Sequence, residues 1–128
     1  MTNLELTQQA YSNFAAGNIP AVLAVFHPQI EWRSVTGMPY IQGDGIFIGA
    51  EAIVLNVFMN IPAHIDGFNI DVKEMFAADN KVVMAGFYEG TWKPTGKPFH
   101  ANATHVWTFK DGLVTHFFQA LDTAAIII

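Results

Sequence analysis

The chain has 128 residues, 52% of them hydrophobic and 13% charged, with a formal net charge of -5, no cysteine, 11 phenylalanines, 3 tryptophans and 3 tyrosines. The length predicts a single domain over residues 1–128, the apolar content excludes a disordered chain, and the lack of cysteine excludes a thiol nucleophile, a cysteine-ligated zinc site and a disulfide scaffold. Because the six basic residues are scattered along an acidic chain, neither nucleic acid nor an anionic membrane is an expected partner.

The first half of the chain has the periodicity of helices. Apolar residues at helical spacing predict a first helix that ends at Gly17. Pro20 suits the first turn of a second helix, Pro28 closes that helix, and a third helix is expected to stop before Pro62. A glycine-rich loop, interpreted as a mobile lid, lies between a strand and the third helix. The predicted helices span residues 4–16, 20–26 and 50–60, and the strand spans residues 30–35.

The second half alternates β-branched and aromatic residues with polar ones, and turn signals interrupt it at strand spacing. Turns are predicted at residues 79–80 and 94–96, and Asp111 with Gly112 predicts a tight hairpin because both residue types accept a positive φ. Helices followed by an antiparallel meander indicate an α+β fold rather than a doubly wound one. The predicted strands span residues 68–76, 82–92, 99–109 and 113–121.

The two ends of the chain carry further expectations. The N-terminal residues lack the basic start and the apolar stretch of a signal peptide, and no window reaches the ~18 to 20 apolar residues of a membrane span. A cytoplasmic protein is therefore expected. The apolar residues 124–128 are expected to dock on a sheet edge or on a partner subunit.

Six segments spread over nearly the whole chain carry a family resemblance. They are YSNFAAGNIPAVLAVF (residues 11–26), IEWR (30–33), GAEAI (49–53), TGKPF (95–99), HVWTFKDG (105–112) and FFQALD (117–122). In this order they resemble the SnoaL-like branch of the nuclear-transport-factor-2-like superfamily. The resemblance implies a homodimer of cone-shaped α+β barrels, in which a highly curved, mostly antiparallel sheet and three helices surround an apolar pocket. Because the fold hosts isomerases, cyclases, hydrolases and non-catalytic proteins, it constrains function less than structure.

The resemblance allows three family chemistries to be compared residue by residue. The base, tyrosine and oxyanion-hole aspartate of ketosteroid isomerase align with Ser34, Ala10 and Thr104, although a shift of one residue brings in Tyr11. The aspartate of SnoaL-type polyketide cyclases aligns with Gln119, which cannot exchange a proton near neutral pH. The Asp-Arg-Asp set of limonene-epoxide-hydrolase-like members is absent. All three sets are incomplete, so whether the protein is an enzyme stays open.

Histidine remains the candidate for acid-base chemistry, because its ordinary pKa lies near neutrality. The alignment of Thr104 with a pocket residue places His100 and Asn102 on the pocket face and His105 on the outer face. We predict His100 or His105 as a general base; the alternative is a hydrogen-bonded structural role for each. Their opposite orientation, with no carboxylate beside them, predicts no metal site. No dinucleotide-binding fingerprint is present, so no cofactor is implied.

The strand phases predict a pocket lined by aromatic, hydroxyl and amide side chains. Such a lining suits a flat, mostly apolar, polycyclic or aromatic molecule held by a few hydrogen bonds. Trp107, Phe109, His116 and Phe118 are predicted to cover the outer sheet face, where a partner subunit would pack. The predicted substrate-binding residues are Trp32, Ser34, Tyr40, Phe47, Phe58, Tyr88, Asn102, Thr104, Val106, Phe117 and Gln119.

Three functional hypotheses follow from this pocket. The first is an isomerase-, cyclase- or hydrolase-like enzyme that acts on a small polycyclic or aromatic substrate. The second is a non-catalytic ligand-binding or accessory protein of the same fold. The third is a structural dimer module, which a cone filled by its own side chains would indicate.

Overall fold

The computed structural model describes all residues from Met1 to Ile128 and contains one six-stranded sheet packed against short helices. The helices are α1 (Asn3–Ala15), α2 (Ile19–Leu23), α3 (Ala50–Ile53), α4 (Asn60–His64) and α5 (Ala124–Ile127), with a π-helical turn (Val54–Phe58) between α3 and α4. The strands are β1 (Phe26–Arg33), β2 (Ile46–Ile48), β3 (Ile65–Ala78), β4 (Lys81–Trp92), β5 (Lys97–Lys110) and β6 (Leu113–Leu121).

The strands follow the order β2-β1-β6-β5-β4-β3. Neighbouring strands are antiparallel except β1 and β6, which run parallel. The predicted α+β fold with a curved, mostly antiparallel sheet is confirmed, but β2 and β3 remain free edges and the sheet does not close into a barrel. None of the helices is both long and apolar enough to cross a membrane.

Helix α1 begins and ends where local chemistry dictates. The Thr2 hydroxyl accepts a hydrogen bond from the backbone N–H of Glu5, and the Glu5 carboxylate accepts one from the N–H of Thr2, which together form a capping box. Gly17, with φ of +75°, follows the helix and turns the chain. Tyr11 and Phe14 are three residues apart in this helix and so lie on one face of it. The helix packs against β3 and β4.

The boundary between α2 and β1 differs from the prediction. Helix α2 ends at Leu23, and β1 begins at Phe26, so the predicted helix over residues 20–26 is too long. Pro28 lies inside β1, where the pairing with β6 shifts register between Phe26 and Glu31. A proline is tolerated there because its missing N–H removes no regular ladder hydrogen bond. Strand β2 was not predicted, because its glycine-rich surroundings indicate a loop.

The predicted helix end before Pro62 is also wrong. The chain winds from α3 through the π-helical turn into α4, of which Pro62 is the third residue. Proline is accepted in the first turn of a helix because an N–H there has no partner within the helix. Single π-helical turns are often found at functional sites, and this one carries Val57 and Phe58 towards the sheet.

The predicted phase of β5 is wrong, and the error decides which side chains face the helices. Buried residues alternate along this strand from Phe99 through His105 to Phe109, while the residues between them are more exposed. His105 lies opposite Met84 of β4 and Gln119 of β6, so all three side chains are on the inner face. The family alignment of Thr104 imposed the opposite phase, although the strand's own apolar alternation predicts the observed one.

The C-terminal elements agree in part with the sequence. On β6, Phe117 is buried and Phe118 is 43% exposed, which is the predicted phase. The chain then forms α5, which packs against β5 rather than on a sheet edge. Ile126 of α5 is buried in the core, whereas Ile128 is exposed. The apolar tail therefore docks largely on its own subunit.

Candidate functional site

A cavity lies between the inner face of the sheet and the helical layer formed by α1, the π-helical turn and α4. Its free volume is about 50 Å³, which has room for water but is well below the roughly 150 Å³ that admits benzene. Fourteen of its sixteen lining residues are hydrophobic. The lining residues are Ala10, Tyr11, Phe14, Val22, Phe26, Trp32, Val57, Phe58, Ile61, Phe68, Ile70, Tyr88, His105, Trp107, Phe117 and Gln119.

Aromatic side chains form the walls of the cavity. The rings of Trp32 and Phe117 stack with centroids 3.7 Å apart, because β1 and β6 place these two residues directly opposite each other. Phe58 meets Trp32 edge-on at 5.4 Å and Phe14 at 5.5 Å. Offset and edge-to-face arrangements of this kind are favourable for aromatic pairs. The walls are thus apolar surfaces suited to a flat ring.

A continuous hydrogen-bond network runs across the polar side of the cavity. The Nδ1 atom of His105 lies 2.7 Å from the Tyr11 hydroxyl, and its Nε2 atom lies 2.5 Å from the Tyr88 hydroxyl. The Trp107 indole N–H donates to the Tyr11 oxygen over 2.9 Å, and the Gln119 amide donates to the Tyr88 oxygen over 2.8 Å. Strands β4, β5 and β6 and helix α1 each contribute to it.

The network is electrically neutral. Burial lowers the pKa of the His105 imidazole to about 3, since the charged form would lose its hydration. Burial likewise raises the pKa of the Tyr11 and Tyr88 hydroxyls well above their ordinary value. The lining contains no Asp, Glu, Lys or Arg. His105 is therefore a weak base that stays uncharged near neutral pH, and the network offers hydrogen bonds rather than ionic contacts.

The structure brings six of the predicted site residues together at the cavity. These are Trp32, Phe58, Tyr88, His105, Phe117 and Gln119. Ser34 lies just outside, where its buried hydroxyl accepts a hydrogen bond from the Trp32 indole over 3.0 Å. Tyr40 packs instead against His64, at a ring distance of 4.9 Å. Phe47 lies on the edge strand β2 and does not line the cavity.

The predictions that placed His100, Asn102, Thr104 and Val106 on the pocket face are wrong, because these residues alternate with the buried residues of β5. For the same reason the predicted outward orientation of His105, Trp107 and Phe109 is wrong. The imidazole of His100 stacks on Phe87 with ring centroids 4.0 Å apart, on the face opposite the cavity.

The prediction that no carboxylate accompanies His100 is wrong as well. The candidate ligand atoms of His100, Asp71 and Glu89 lie within 4.8 Å of one another. Glu89 is directly opposite His100 across the β4–β5 ladder, a relation that spacing along one strand does not show. The Lys73 ammonium already pairs with the Asp71 carboxylate over 3.0 Å. We interpret this group as a charged patch on the outer sheet face.

Sequence reasoning missed Tyr11 and Trp107 as cavity residues. Shifting the ketosteroid isomerase alignment by one residue replaces Ala10 with Tyr11 and Thr104 with His105, and these two side chains are the ones that meet. The signal for that shift was the apolar set Ala101, Ala103, Trp107 and Phe109 at every second position, with Asn102, Thr104 and Thr108 between its members.

Comparison with known proteins identifies the family. The sequence profile of the SnoaL-like domain matches residues 7–117. The chain belongs to the SnoaL-like family. A nuclear-transport-factor-2-like protein from Burkholderia thailandensis E264 is 30% identical, with 98% of this chain and 94% of that chain covered and a TM-score of 0.90. This similarity extends over nearly all of both chains, and it confirms the resemblance predicted from the sequence.

Two other structures are similar to this SnoaL-like chain over most of its length. A protein of unknown function from Burkholderia pseudomallei K96243 is 25% identical, covers 100% of both chains and has a TM-score of 0.88. TerC, co-crystallised with polyporic acid, is 26% identical, with 96% of this chain and 93% of that chain covered and a TM-score of 0.83. No curated protein sequence matches this chain.

Proposed function

We propose that this SnoaL-like protein binds a small, flat, mostly apolar molecule that carries a hydrogen-bond-accepting oxygen. The observation that carries the proposal is the neutral Tyr11–His105–Tyr88 network on one side of an otherwise apolar cavity. A few placed polar groups within an apolar lining are typical of small-molecule sites. With no charged residue in the lining, a neutral ligand or one with delocalised charge suits the cavity best.

The ligand-free cavity must enlarge to admit such a molecule. Phe58, on the π-helical turn, is the side chain best placed to move, because its neighbours Leu55 and Met59 are exposed to solvent. Its own ring has the size of the ring that would enter. If Phe58 rotates outward, the ligand ring takes its place against Trp32 and Phe14, so the ligand provides the aromatic packing that Phe58 gives up.

The ligand of TerC supports this chemistry. Polyporic acid is a hydroxyquinone with two phenyl substituents, so it combines aromatic rings with carbonyl and hydroxyl oxygens. A smaller molecule of the same chemistry, with one aromatic ring, suits the cavity of this chain. The absence of a carboxylate from the lining favours binding over the carboxylate-based chemistry of polyketide cyclases and ketosteroid isomerases. The proposal therefore concerns an oxygen-bearing aromatic ligand, whether or not it is transformed.

Titration with benzoylacetone, which carries one aromatic ring and two carbonyl oxygens, tests the proposal, with the quenching of tryptophan fluorescence as the signal. Two of the three tryptophans, Trp32 and Trp107, line the cavity. We expect saturable quenching that weakens at least about tenfold in Phe58→Trp, because the larger ring blocks the site. Tyr40→Phe is the matched control, since it alters an aromatic residue outside the cavity. Unaltered affinity in Phe58→Trp, or no saturable binding by the wild type, would contradict the proposal.

We also propose that the outer face of β1, β5 and β6 pairs with a second copy of the chain. Phe118 is 43% exposed there, beside a shallow depression that holds Glu31, Arg33 and Lys81. Two-fold symmetry would bring the carboxylate of one copy towards the cations of the other. Phe118→Glu is expected to shift the protein from dimer to monomer in sedimentation velocity. A wild-type monomer, or a dimer unaffected by Phe118→Glu, would refute this interface.

A further inference from the structure

The cavity network contains one proton more than its own hydrogen bonds can use. The indole of Trp107 can only donate, and the amide of Gln119 is oriented by the backbone N–H of Val35, which donates to its oxygen over 3.1 Å. The oxygens of Tyr11 and Tyr88 each accept one of these donors. Both hydroxyl protons therefore remain available for other partners.

Neutral His105 adds a third proton, because an imidazole carries one N–H and one acceptor nitrogen. These three protons serve only two hydrogen bonds, those between His105 and the two tyrosines. If Nε2 carries the proton, Tyr11 donates to Nδ1 and the Tyr88 O–H is left over. If Nδ1 carries it, Tyr88 donates to Nε2 and the Tyr11 O–H is left over. Each tautomer thus frees one tyrosine hydroxyl for a ligand.

We propose that Tyr11, His105 and Tyr88 form a neutral proton relay that interconverts the keto and enol forms of a ligand in the cavity. The inference rests on the proposed function and assigns a reaction to the same site. Because both tyrosines line the cavity and contact opposite nitrogens of one ring, a ligand that touches both can give a proton to one and take a proton from the other.

The step balances without a co-reactant. The Tyr88 O–H gives its proton to the ligand carbonyl oxygen, the Nε2 proton of His105 moves to the Tyr88 oxygen, and the Tyr11 proton moves to Nδ1. The Tyr11 oxygen takes a proton from the ligand carbon next to the carbonyl. The electron pair of that C–H bond forms the enol C=C bond, and the C=O π pair binds the new hydroxyl proton. Each protein group loses one proton and gains one.

The relay ends in its other tautomer, with Nδ1 protonated and the Tyr11 hydroxyl free. A water molecule in the vacated cavity can restore the first tautomer by taking the hydroxyl proton of Tyr11 and giving a proton to the Tyr88 oxygen. At the same time the Nδ1 proton passes to the Tyr11 oxygen, and the proton that Tyr88 held passes to Nε2. The free volume of about 50 Å³ has room for such a water. An enol ligand entering at this stage would instead be converted to the keto form as the relay runs backwards.

The suited substrates are β-dicarbonyl compounds with an aromatic ring, because their central carbon is acidic and their conjugated enol form is flat. Benzoylacetone is a probe of this class. In an apolar solvent its enol form prevails. After dilution into buffer, benzoylacetone relaxes to a new ratio of keto to enol form, and the absorbance of the enol follows this change. The wild-type protein is expected to accelerate this relaxation in proportion to its concentration. Binding of benzoylacetone is measured in parallel through tryptophan quenching.

Matched tyrosine variants test the relay. Tyr11→Phe and Tyr88→Phe each remove one relay proton and should lower the protein-dependent rate by at least about tenfold, within the range of general acid-base effects. Tyr40→Phe, which removes the third tyrosine hydroxyl of the chain, should keep the wild-type rate. Circular dichroism verifies folding, and if Tyr88→Phe fails to fold, Tyr11→Phe on α1 decides.

The pH profile separates a relay from a merely structural network. The titratable groups that face His105 are Tyr11 from α1 and Tyr88 from β4, and neither they nor His105 change charge between pH 5 and 8, so the catalysed rate should be flat over this range. Bound benzoylacetone without acceleration, or full activity in both tyrosine variants, would overturn the relay and leave binding intact. Failure of benzoylacetone to bind would overturn the relay together with the binding proposal for this ligand class.

Discussion

The buried imidazole of His105 makes the stability of the protein depend on pH. In the folded state burial lowers its pKa from 6.5 to about 3, while in the unfolded chain the pKa returns to about 6.5. Between these values the unfolded state binds a proton that the folded state does not. The free energy of unfolding should therefore fall as the pH decreases from about 6.5 to 3, and the contribution is fully present above pH 6.5.

The magnitude follows from the size of the pKa difference. The slope is about 1.4 kcal/mol per pH unit, so the loss attributable to His105 between pH 7 and pH 4.5 is about 2.5 kcal/mol. This is a large fraction of the roughly 5 to 15 kcal/mol by which a domain is typically stable. Urea unfolding, followed by tryptophan fluorescence at several pH values over this range, measures it.

The variant His105→Phe isolates this contribution from that of the carboxylates. It should be less stable than the wild type at pH 7, because the hydroxyls of Tyr11 and Tyr88 lose their hydrogen-bond partner. Between pH 6.5 and 3, however, the slope of its unfolding free energy against pH should be smaller than that of the wild type by about 1.4 kcal/mol per pH unit. The other four histidines and all the carboxylates are present in both proteins, so the difference between the two slopes reports His105. Equal slopes for the wild type and His105→Phe would show that protonation of His105 does not lower the stability of the protein.

Two further predictions concern the cavity and the sheet. Phe58→Ala removes the ring that would have to move, so calorimetry should show tighter binding of one-ring aromatic ketones. The same change should cost about 3 kcal/mol of stability. Weaker binding would show that the Phe58 ring does not block entry of the ligand. Gly86→Ala would drive a Cβ into the carbonyl oxygen of Asp71 on β3, so urea unfolding should show a loss of about 1 to 3 kcal/mol, whereas an unchanged midpoint would mean that β3 shifts freely.

The elements of the fold could be predicted where local chemistry decides them. The glycine stop after α1 and the Asp111-Gly112 hairpin act within a few residues, and Gly17, Asp111 and Gly112 adopt the positive φ that their types allow. The β2 strand could not be predicted in this way, since it exists only through pairing with the end of β1. Its sequence carries no strand signal strong enough to outweigh the glycines around it.

The candidate site shows where a family pattern misleads. Trp32, Phe117 and Gln119 were placed at the cavity because strand alternation on β1 and β6 is regular near them. On β5 the alignment of Thr104 was given more weight than the apolar alternation, so the inner and outer faces of the strand were exchanged in the prediction. The contact between His105 and Tyr11 was therefore not predicted. The pairing of a helix residue with a strand residue 94 positions later depends on tertiary packing, so no local signal reveals it.

A crystal structure of the protein soaked with benzoylacetone would locate the ligand relative to the cavity walls and to the two tyrosine hydroxyls. We expect the phenyl ring beside the stacked Trp32 and Phe117 rings, with Phe58 rotated away from its position in the ligand-free protein. A ligand oxygen should lie within hydrogen-bond distance of the Tyr11 or Tyr88 hydroxyl. A ligand bound only outside the cavity, or one inside it whose oxygens contact neither tyrosine, would show that the tyrosines do not form the ligand site.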